Sequence, residues 1–564
     1  MTQFTRSLGN ESGVQLNPLQ DESAVPTVSN ADRVIATVMR CGRGPVNKPF
    51  AVSRGSFKQK VGRGERVRTN PLNESYVQAY ESLQNGASGL VIQRLVSVAE
   101  AQIGWAYASI ASDDFTFDVT DKEVAITSDP NVVGGTTLEK DSSAVSGYLV
   151  AVKHLDCHND GIMLEIHADE VLDGSFSPVA NDVITLRILD STGAKLLEFT
   201  GSTDPDATDA AGNSTYLVDV VESQTDRIEI QVVSQSVPAS HDCYGYDSAG
   251  NKKWVRSGVL KTFEEVSGSF AGYVADDYQH ATSSLMDTDM QFGYLSTSGA
   301  QASQLISGLT NVSHERNVPV AVDVPGNLTA DAAAQWVASM GLSSSTSNHL
   351  VWAFWAPLMT DCPAGINPRG YFGTSMFNLA RACARNAVKN SYGFAAKNYP
   401  IAGVDHPLNR TNMVQKQFPK ASDLDRLAKS RVNPVIFETF SDRSTVVFRD
   451  SLTSAPENSL KKLISVADMS STMDDMVTRF AKQALQKPMS VAIDQTEKYL
   501  RDLFERAENS GWLVPSAEPE MDGRSFQFAV FADPENPHDK MKYQYKLRYD
   551  GTSRQVEVTQ TLSR

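Results

Sequence analysis

Val318-Pro-Val-Ala-Val-Asp-Val324 and His349-Leu-Val-Trp-Ala-Phe-Trp-Ala356 stand on either side of residues 329–340, Thr-Ala-Asp-Ala-Ala-Ala-Gln-Trp-Val-Ala-Ser-Met, in the middle of the chain. The two flanking runs are short, continuously apolar and rich in valine and aromatics, which predicts buried strands, and the stretch between them reads as a helix. Strand, helix and strand in that order imply an α/β layer with partly parallel strands. The pattern extends in both directions. Residues 292–295 read as a strand before a helix near 301–309, residues 371–389 as the helix after the second quoted strand, and residues 435–440 and 444–448 as a further β pair.

Upstream, residues 1–30 lack periodicity and contain Pro18 and Pro26, so an extended arm is expected. Residues 32–39 read as a strand broken by Gly42, Gly44 and Pro45, followed by a short strand at 50–52, a helix over 73–83 (Tyr76, Val77, Tyr80) and a buried strand over 90–98. Between 113 and 237 the pattern changes to repeated short strands, at 115–119, 148–154, 162–167, 183–189, 195–199, 216–221 and 228–233, with a hairpin at Asp190-Ser-Thr-Gly193. Downstream, Met473, Met476, Val477, Phe480, Ala481, Ala484 and Leu485 form one helical stripe, ended by Lys487-Pro488, and Tyr499, Leu500, Leu503, Phe504 and Ala507 form a second before Gly511. The chain then runs Phe526-Gln-Phe-Ala-Val-Phe-Ala-Asp533, Lys542-Tyr-Gln-Tyr-Lys-Leu-Arg-Tyr-Asp550 and Arg554-Gln-Val-Glu-Val-Thr-Gln-Thr-Leu562. Tyr543, Tyr545, Leu547 and Tyr549 fall at every second position, so these are strand patterns, and the last has no successor to cover its edge.

The expected fold class is therefore α+β and multidomain, a mixed α/β core with an inserted β-rich domain and terminal β-strand arms. The expected divisions are 1–30 (arm), 31–110 and 263–430 (core), 111–262 (inserted domain), 431–553 (helices and paired strands) and 554–564 (arm).

Composition narrows the function. With 564 residues, 41% hydrophobic and 21% charged, the chain can bury several cores. It has no long apolar run and no basic-then-apolar leader, which predicts a soluble protein made in a cytoplasm. A net charge of −16 disfavours a general nucleic-acid binder. The one basic cluster, from Arg54 to Arg68 with Lys58, Lys60, Arg63 and Arg66, reads as a local interface or solvated loop. Five cysteines (Cys41, Cys157, Cys243, Cys362, Cys383) are too sparse for a disulfide framework.

Catalytic and ligand-binding motifs do not emerge. Gly373-Thr-Ser-Met-Phe377 lacks the second glycine of a nucleophile elbow, and phosphate-loop and dinucleotide glycine patterns are absent. His154, Cys157 and His158 with His241 and Cys243 have ligand chemistry for zinc, but the second half lacks paired spacing, so no metal is expected. Asp204, Asp206 and Asp209 fail the calcium-loop pattern at its sixth and twelfth positions. Asp276 and Asp277, or Asp474 and Asp475, are only sequence neighbours. No cofactor is expected. An α/β hydrolase with a β-rich accessory domain stays as an alternative of another class, lacking an identifiable Ser/His/Asp set.

Three stretches resemble the contractile tail sheath proteins of bacteriophages and related injection machines. The first is Arg43-Gly-Pro-Val-Asn47-Lys-Pro49-Phe, then Phe57, Gly62, Ala79-Tyr80-Glu-Ser-Leu83-Gln-Asn85-Gly86-Ala87 and Val91-Ile-Gln-Arg94-Leu-Val96. The second is Asp204-Pro-Asp206-Ala, Asp209, Gly212-Asn-Ser214-Thr-Tyr216 and Val220-Val221. The third covers residues 462–562, with a Ser465-Val-Ala-Asp468 strand, two helices, Ser510-Gly511-Trp512 and paired strands. The central part agrees in pattern at Val324-Pro325, Pro357 and Asn367-Pro368-Arg369-Gly370, but lacks the richer Pro-Pro-Ser type segment often found there.

The resemblance implies a virion structural subunit, assembled in the host cytoplasm, whose partners are copies of itself in helically stacked six-fold rings, a tail tube protein, and baseplate and tail terminator proteins. It implies no direct nucleic-acid contact, no membrane insertion, no enzyme activity and no cofactor. Terminal arms add strands to neighbouring subunits' sheets, and contraction drives the tube through the host envelope. Here Val556, Val558 and Leu562 are the expected donated face. Phe526, Phe528, Tyr543, Tyr545 and Leu547 are expected in the receiving sheet, and part of residues 10–29 pairs between subunits. A good turn at Asp550-Gly551 leaves open a local fold-back of the last strand. The same pattern also fits the sheath of a bacteriocin-like or secretion-type device.

Overall fold

A computed structural model describes residues 31–111, 114–126, 148–265, 272–344, 347–557 and 560. The expected pairing of residues 10–29, and Val558 and Leu562, lie outside the described residues.

The centre is an eight-stranded sheet in the order β2-β3-β1-β4-β5-β6-β7-β8, formed by β1 (Val34–Met39), β2 (Phe50–Val52), β3 (Gly89–Arg94), β4 (Tyr294–Ser296), β5 (Val320–Val324), β6 (Val351–Trp355), β7 (Val432–Thr439) and β8 (Ser444–Phe448). From β3 to β7 all neighbours are parallel, and only the edge strands β2 and β8 are antiparallel. The quoted apolar runs are β5 and β6. Their lack of alternation has a direct cause, since both faces of the sheet are covered. On one face Val34, Ala36, Val320, Val322, Val351 and Ala353 meet helices α2 (Ala275–Asp287), α3 (Ser303–Arg316) and α4 (Ala330–Ser339). On the other, Ile35, Leu90, Tyr294, Trp352 and Phe354 meet α1 (Glu74–Gln84) and α5 (Ser375–Asn386). Because β7 and β8 lie in this sheet, the α/β layer runs past residue 430.

The β-rich part between β3 and β4 contains two four-stranded sheets. One has the strands Lys195–Ser202, Val183–Asp190, Ile162–Ala168 and Val255–Arg256 in that order, the other Ile228–Val232, Tyr148–His154, Ala106–Ala111 and Asp114–Val119. They enclose one core, including Leu149, Leu164, Ile166, Leu186, Ile188 and Ile230. The Asp190 hairpin forms as expected, closed by Asp190 N–H to Ala194 O at 2.9 Å. Residues 216–221 are not a strand. Leu217–Gln224 is helical, with Leu217 and Val221 buried one turn apart. The β-branched run favours a strand locally, but tertiary packing decides. Gly201 allows the helix to close in, since a Cβ there would lie 2.8 Å from the Leu217 Cα.

The Ser465-Val-Ala-Asp468 strand is likewise a helix, the first turns of α6 (Ile464–Ala484). Ile464 and Ala467 face the central core, whereas Val466, Met469 and Met473 face a separate terminal core. Burial on two sides erases the helical stripe and leaves a run that looks like a strand. The terminal core is completed by α7 (Met489–Asn509), Trp512 and the antiparallel hairpin of β9 (Phe526–Ala532) and β10 (Met541–Leu547).

Candidate functional site

The C-terminal edge of the parallel strands is where an α/β layer usually places a ligand. Here that edge is filled from within. Asp323, in β5, accepts from the Thr374 and Ser375 backbone N–H groups at 2.8 and 2.9 Å through one oxygen. Its other oxygen takes the Ser375 hydroxyl at 2.6 Å, the Gln78 amide at 2.8 Å and the Gly299 N–H at 3.0 Å. The N-terminus of α5, with its positive dipole end, is thus neutralised by the chain's own carboxylate rather than left for a phosphate. Gly373 makes the approach possible, because a Cβ there would fall 2.3 Å from the Asp323 carboxyl carbon. Ser375, the serine of Gly373-Thr-Ser-Met-Phe377, commits its hydroxyl to Asp323 and lies 2.8 Å from the Ser296 hydroxyl.

Glu74 sits beside this cluster, accepting from Gly373 N–H at 2.6 Å and from the Gln78 amide at 2.9 Å. Burial and the Asp323 charge raise its carboxyl to about 7, against the opposing Gly373 and Gln78 hydrogen bonds and Arg410. Two neighbouring carboxylates resemble an acid–base pair, but the crevice they line is only about 70 Å³. That is room for water, far below the size of a metabolite pocket. Arg410, paired with Glu81 at 2.7 Å and donating to the Phe372 and Gly373 carbonyls, ties the loop before α5 to α1.

A second buried polar group lies beside Asp32. Asp468 of α6 accepts from Arg385 at 2.5 Å, Lys397 at 3.0 Å and the Tyr294 hydroxyl at 2.9 Å. Burial alone would raise its carboxyl, yet Lys397 and Arg385 hold it below the ordinary range. Lys397 also donates to Thr472 at 2.6 Å and reaches Asp32 at 3.4 Å. Asp323, Glu74, Arg410, Lys397 and Asp468 were all missed from sequence. The one local signal was an aspartate inside the apolar run Val-Ala-Val-Asp-Val.

The residues that sequence did single out gather at the terminal hairpin. Phe526 pairs with Leu547, Phe528 with Tyr545 and Val530 with Tyr543. The rings of Phe526, Phe528 and Tyr545 lie 5.6, 5.8 and 5.6 Å from that of Phe504 in α7, so this face is covered by the chain's own helix. Each strand pairs only with the other in a two-stranded sheet, and each keeps an outer edge without a strand among the described residues. Beyond it the chain makes no ladder with β10 over 551–557, and the turn at Asp550-Gly551 does not fold this stretch home. Instead Thr552 meets the Ser465 hydroxyl at 3.0 Å and Arg554 grips Asp450 through two bonds of 2.7 and 2.5 Å. Val556 is 79% exposed.

The remaining candidates separate. His241 packs edge-on against Phe115 at 4.3 Å and Cys243 is buried in the sandwich core, neither grouped with His154 and His158. Asp209 uses its carboxylate on the Ala211 and Asn213 backbone and on the Asn213 side chain, the work of a turn. In the basic stretch, Phe57 and Val61 are buried in the short helix Phe57–Val61 while Lys58 is exposed, as a solvated local element requires.

No family model matches the chain, and no curated protein does. Among solved structures it is similar to the sheath tail protein of Desulfitobacterium hafniense (TM-score 0.44, 11% identity, covering 95% of this chain and 100% of that chain). It is also similar to a sheath tail protein of Listeria innocua (TM-score 0.49, 9% identity, 92% and 96% covered). A third likeness is to a chain of the sheath complex of an extracellular contractile injection system in its contracted state (TM-score 0.37, 14% identity, 50% and 74% covered).

Proposed function

We propose that the chain is the structural subunit of a contractile tail sheath, polymerising around a tail tube and contracting to drive it through a host envelope. The observation that carries this reading is the terminal hairpin. It has an aromatic face sealed on α7, two outer edges without a strand among the described residues, and a following segment that leaves its own sheet with Val556 exposed. An edge that carries no strand suits β-augmentation by another copy. Repeated head-to-tail, such a contact does not close on itself and builds a filament. The self-occupied crest of the α/β layer and the sheath-like motifs support the same reading, in which the subunit is structural rather than catalytic.

In this reading Val556, Val558 and Leu562 are donated, and Phe526, Phe528, Tyr543, Tyr545 and Leu547 belong to the sheet that receives the equivalent strand. Residues 1–30 and 554–564 are the linking arms, and residues 111–262 form an outward-facing unit. The partners are other copies in stacked six-fold rings, a tube protein, and baseplate and terminator proteins. Deleting residues 554–564 tests the linkage. The truncated chain should stay folded and monomeric, while the full chain, mixed with its tube protein, forms hollow rods under negative stain. Rods of normal length from the truncation would overturn the proposal.

A further inference from the structure

We propose that His154, Asp156 and His158 form a binding site for a zinc-class divalent cation at the neck between the β-sandwich and the α/β layer. One ligand atom from each lies within 4.8 Å of the others, the only such group among the described residues. Tetrahedral zinc at bonds of about 2.0–2.2 Å needs its ligands roughly 3.4 Å apart, so the three side chains must close in by about 1 Å.

The histidines are the second, independent observation. His154 and His158 are 0% and 1% exposed. Both ring nitrogens of His154 and Nδ1 of His158 are buried without a hydrogen-bond partner among the described residues. Buried polar atoms are ordinarily satisfied, and orphaned ones call for an explanation such as an ion. The two imidazoles pack edge to face, with ring centroids 4.6 Å apart.

Asp156 supplies the carboxylate. Arg227 takes only its Oδ2, leaving Oδ1. Among the other cations nearby, Arg43 pairs with Asp160 and Asp190, and Arg94 with Glu265. Cys157, singled out by sequence together with the two histidines, is not part of the group. It has a left-handed backbone (φ 45°), and its thiol bonds to the Leu155 carbonyl at 3.3 Å. Two nitrogens and one oxygen favour zinc over magnesium or calcium, which seek oxygen-rich shells. The loop that carries the site holds the core directly, through Gly44 N–H to Asp156 O at 2.7 Å and Asn159 N–H to Gly42 O at 2.9 Å. A bound ion would fix the sandwich against the layer.

The test titrates the full chain, stripped with chelator, with zinc chloride and with magnesium chloride as control. One zinc per chain should survive gel filtration and raise the unfolding temperature, magnesium should do neither, and His154→Asn with His158→Asn should weaken zinc binding by more than about tenfold. Failure to retain zinc, or equal retention by the double variant, overturns the assignment. Should the variant not fold, cobalt bound to the unaltered chain decides. Visible bands of a tetrahedral or five-coordinate ion without a thiolate charge-transfer band support the site, and a thiolate band or a purely octahedral spectrum refutes it.

Discussion

Glu74→Gln should make the protein more stable at pH 8 and change it little at pH 5. Glu74 titrates at about 7 in the folded chain against an ordinary 4.5. The folded state thus binds more protons than the unfolded state between those values, so the group's contribution falls as pH rises from about 4.5 to about 7 and is level above. Integrated from pH 5 to pH 8, the difference in bound protons comes to about 1.8, or about 2.5 kcal/mol at full weight. Because the side chain is only partly enclosed, about 1–2 kcal/mol is expected, or roughly 3–6 °C in the unfolding temperature of the α/β layer. Glutamine keeps the acceptor for Gly373 N–H and drops the repulsion with Asp323. The assay is thermal unfolding of both chains at pH 5 and pH 8, followed by tryptophan fluorescence. A Glu74→Gln shift that is the same at both values, or that is negative at pH 8, refutes the reasoning.

Three other perturbations probe separate parts of the molecule. Phe504→Ala removes a fully buried ring that touches Phe526, Phe528 and Tyr545 and should cost about 3–5 kcal/mol. Hydrogen exchange should show this loss in β9, β10 and α7 while β4 to β6 keep their protection. Asp468→Asn leaves Arg385 buried without its counter-charge and Lys397 with only Asp32 at 3.4 Å, so a loss of about 3–5 kcal/mol is expected in chemical denaturation, larger than for surface pairs such as Arg479 with Asp475. Arg554→Ala releases the segment after Gly551 at a cost of about 1 kcal/mol and should speed its proteolysis without changing the far-ultraviolet circular dichroism.

What the sequence made legible was whatever depends on neighbours a few residues away. The apolar runs of β5 and β6, the helix start at Thr329, which accepts from Ala332 N–H, and the alternation of Tyr543, Tyr545 and Leu547 all carry their reason locally. Leu217–Gln224 and the start of α6 do not, because one follows from the close approach at Gly201 and the other from burial on two sides. The crest was hidden for a related reason. Asp323 is held by groups at 299, 374 and 375 as well as 78, and no window of sequence contains them together. At the neck the sequence reading grouped His154 and His158 with Cys157 and passed over Asp156, which the structure places with the two histidines while Cys157 takes a left-handed backbone outside the group.

The central sheet is assembled from two pieces of chain that are far apart in synthesis. β1 lies between β3 and β4, and Thr37 meets Ser296 across 259 residues. A ribosome therefore releases β1, β2 and β3 long before the strand that flanks β1 exists, and in that interval Val34-Ile-Ala-Thr-Val-Met39 has one bare edge and apolar side chains on both faces. The sandwich strands, by contrast, find all their partners between residues 106 and 256. The inserted unit can therefore complete its two sheets before β4 is made, which shortens the effective loop between residues 94 and 294. It thereby lowers the loop-closure cost of a sheet that could otherwise form only slowly and at risk of aggregation.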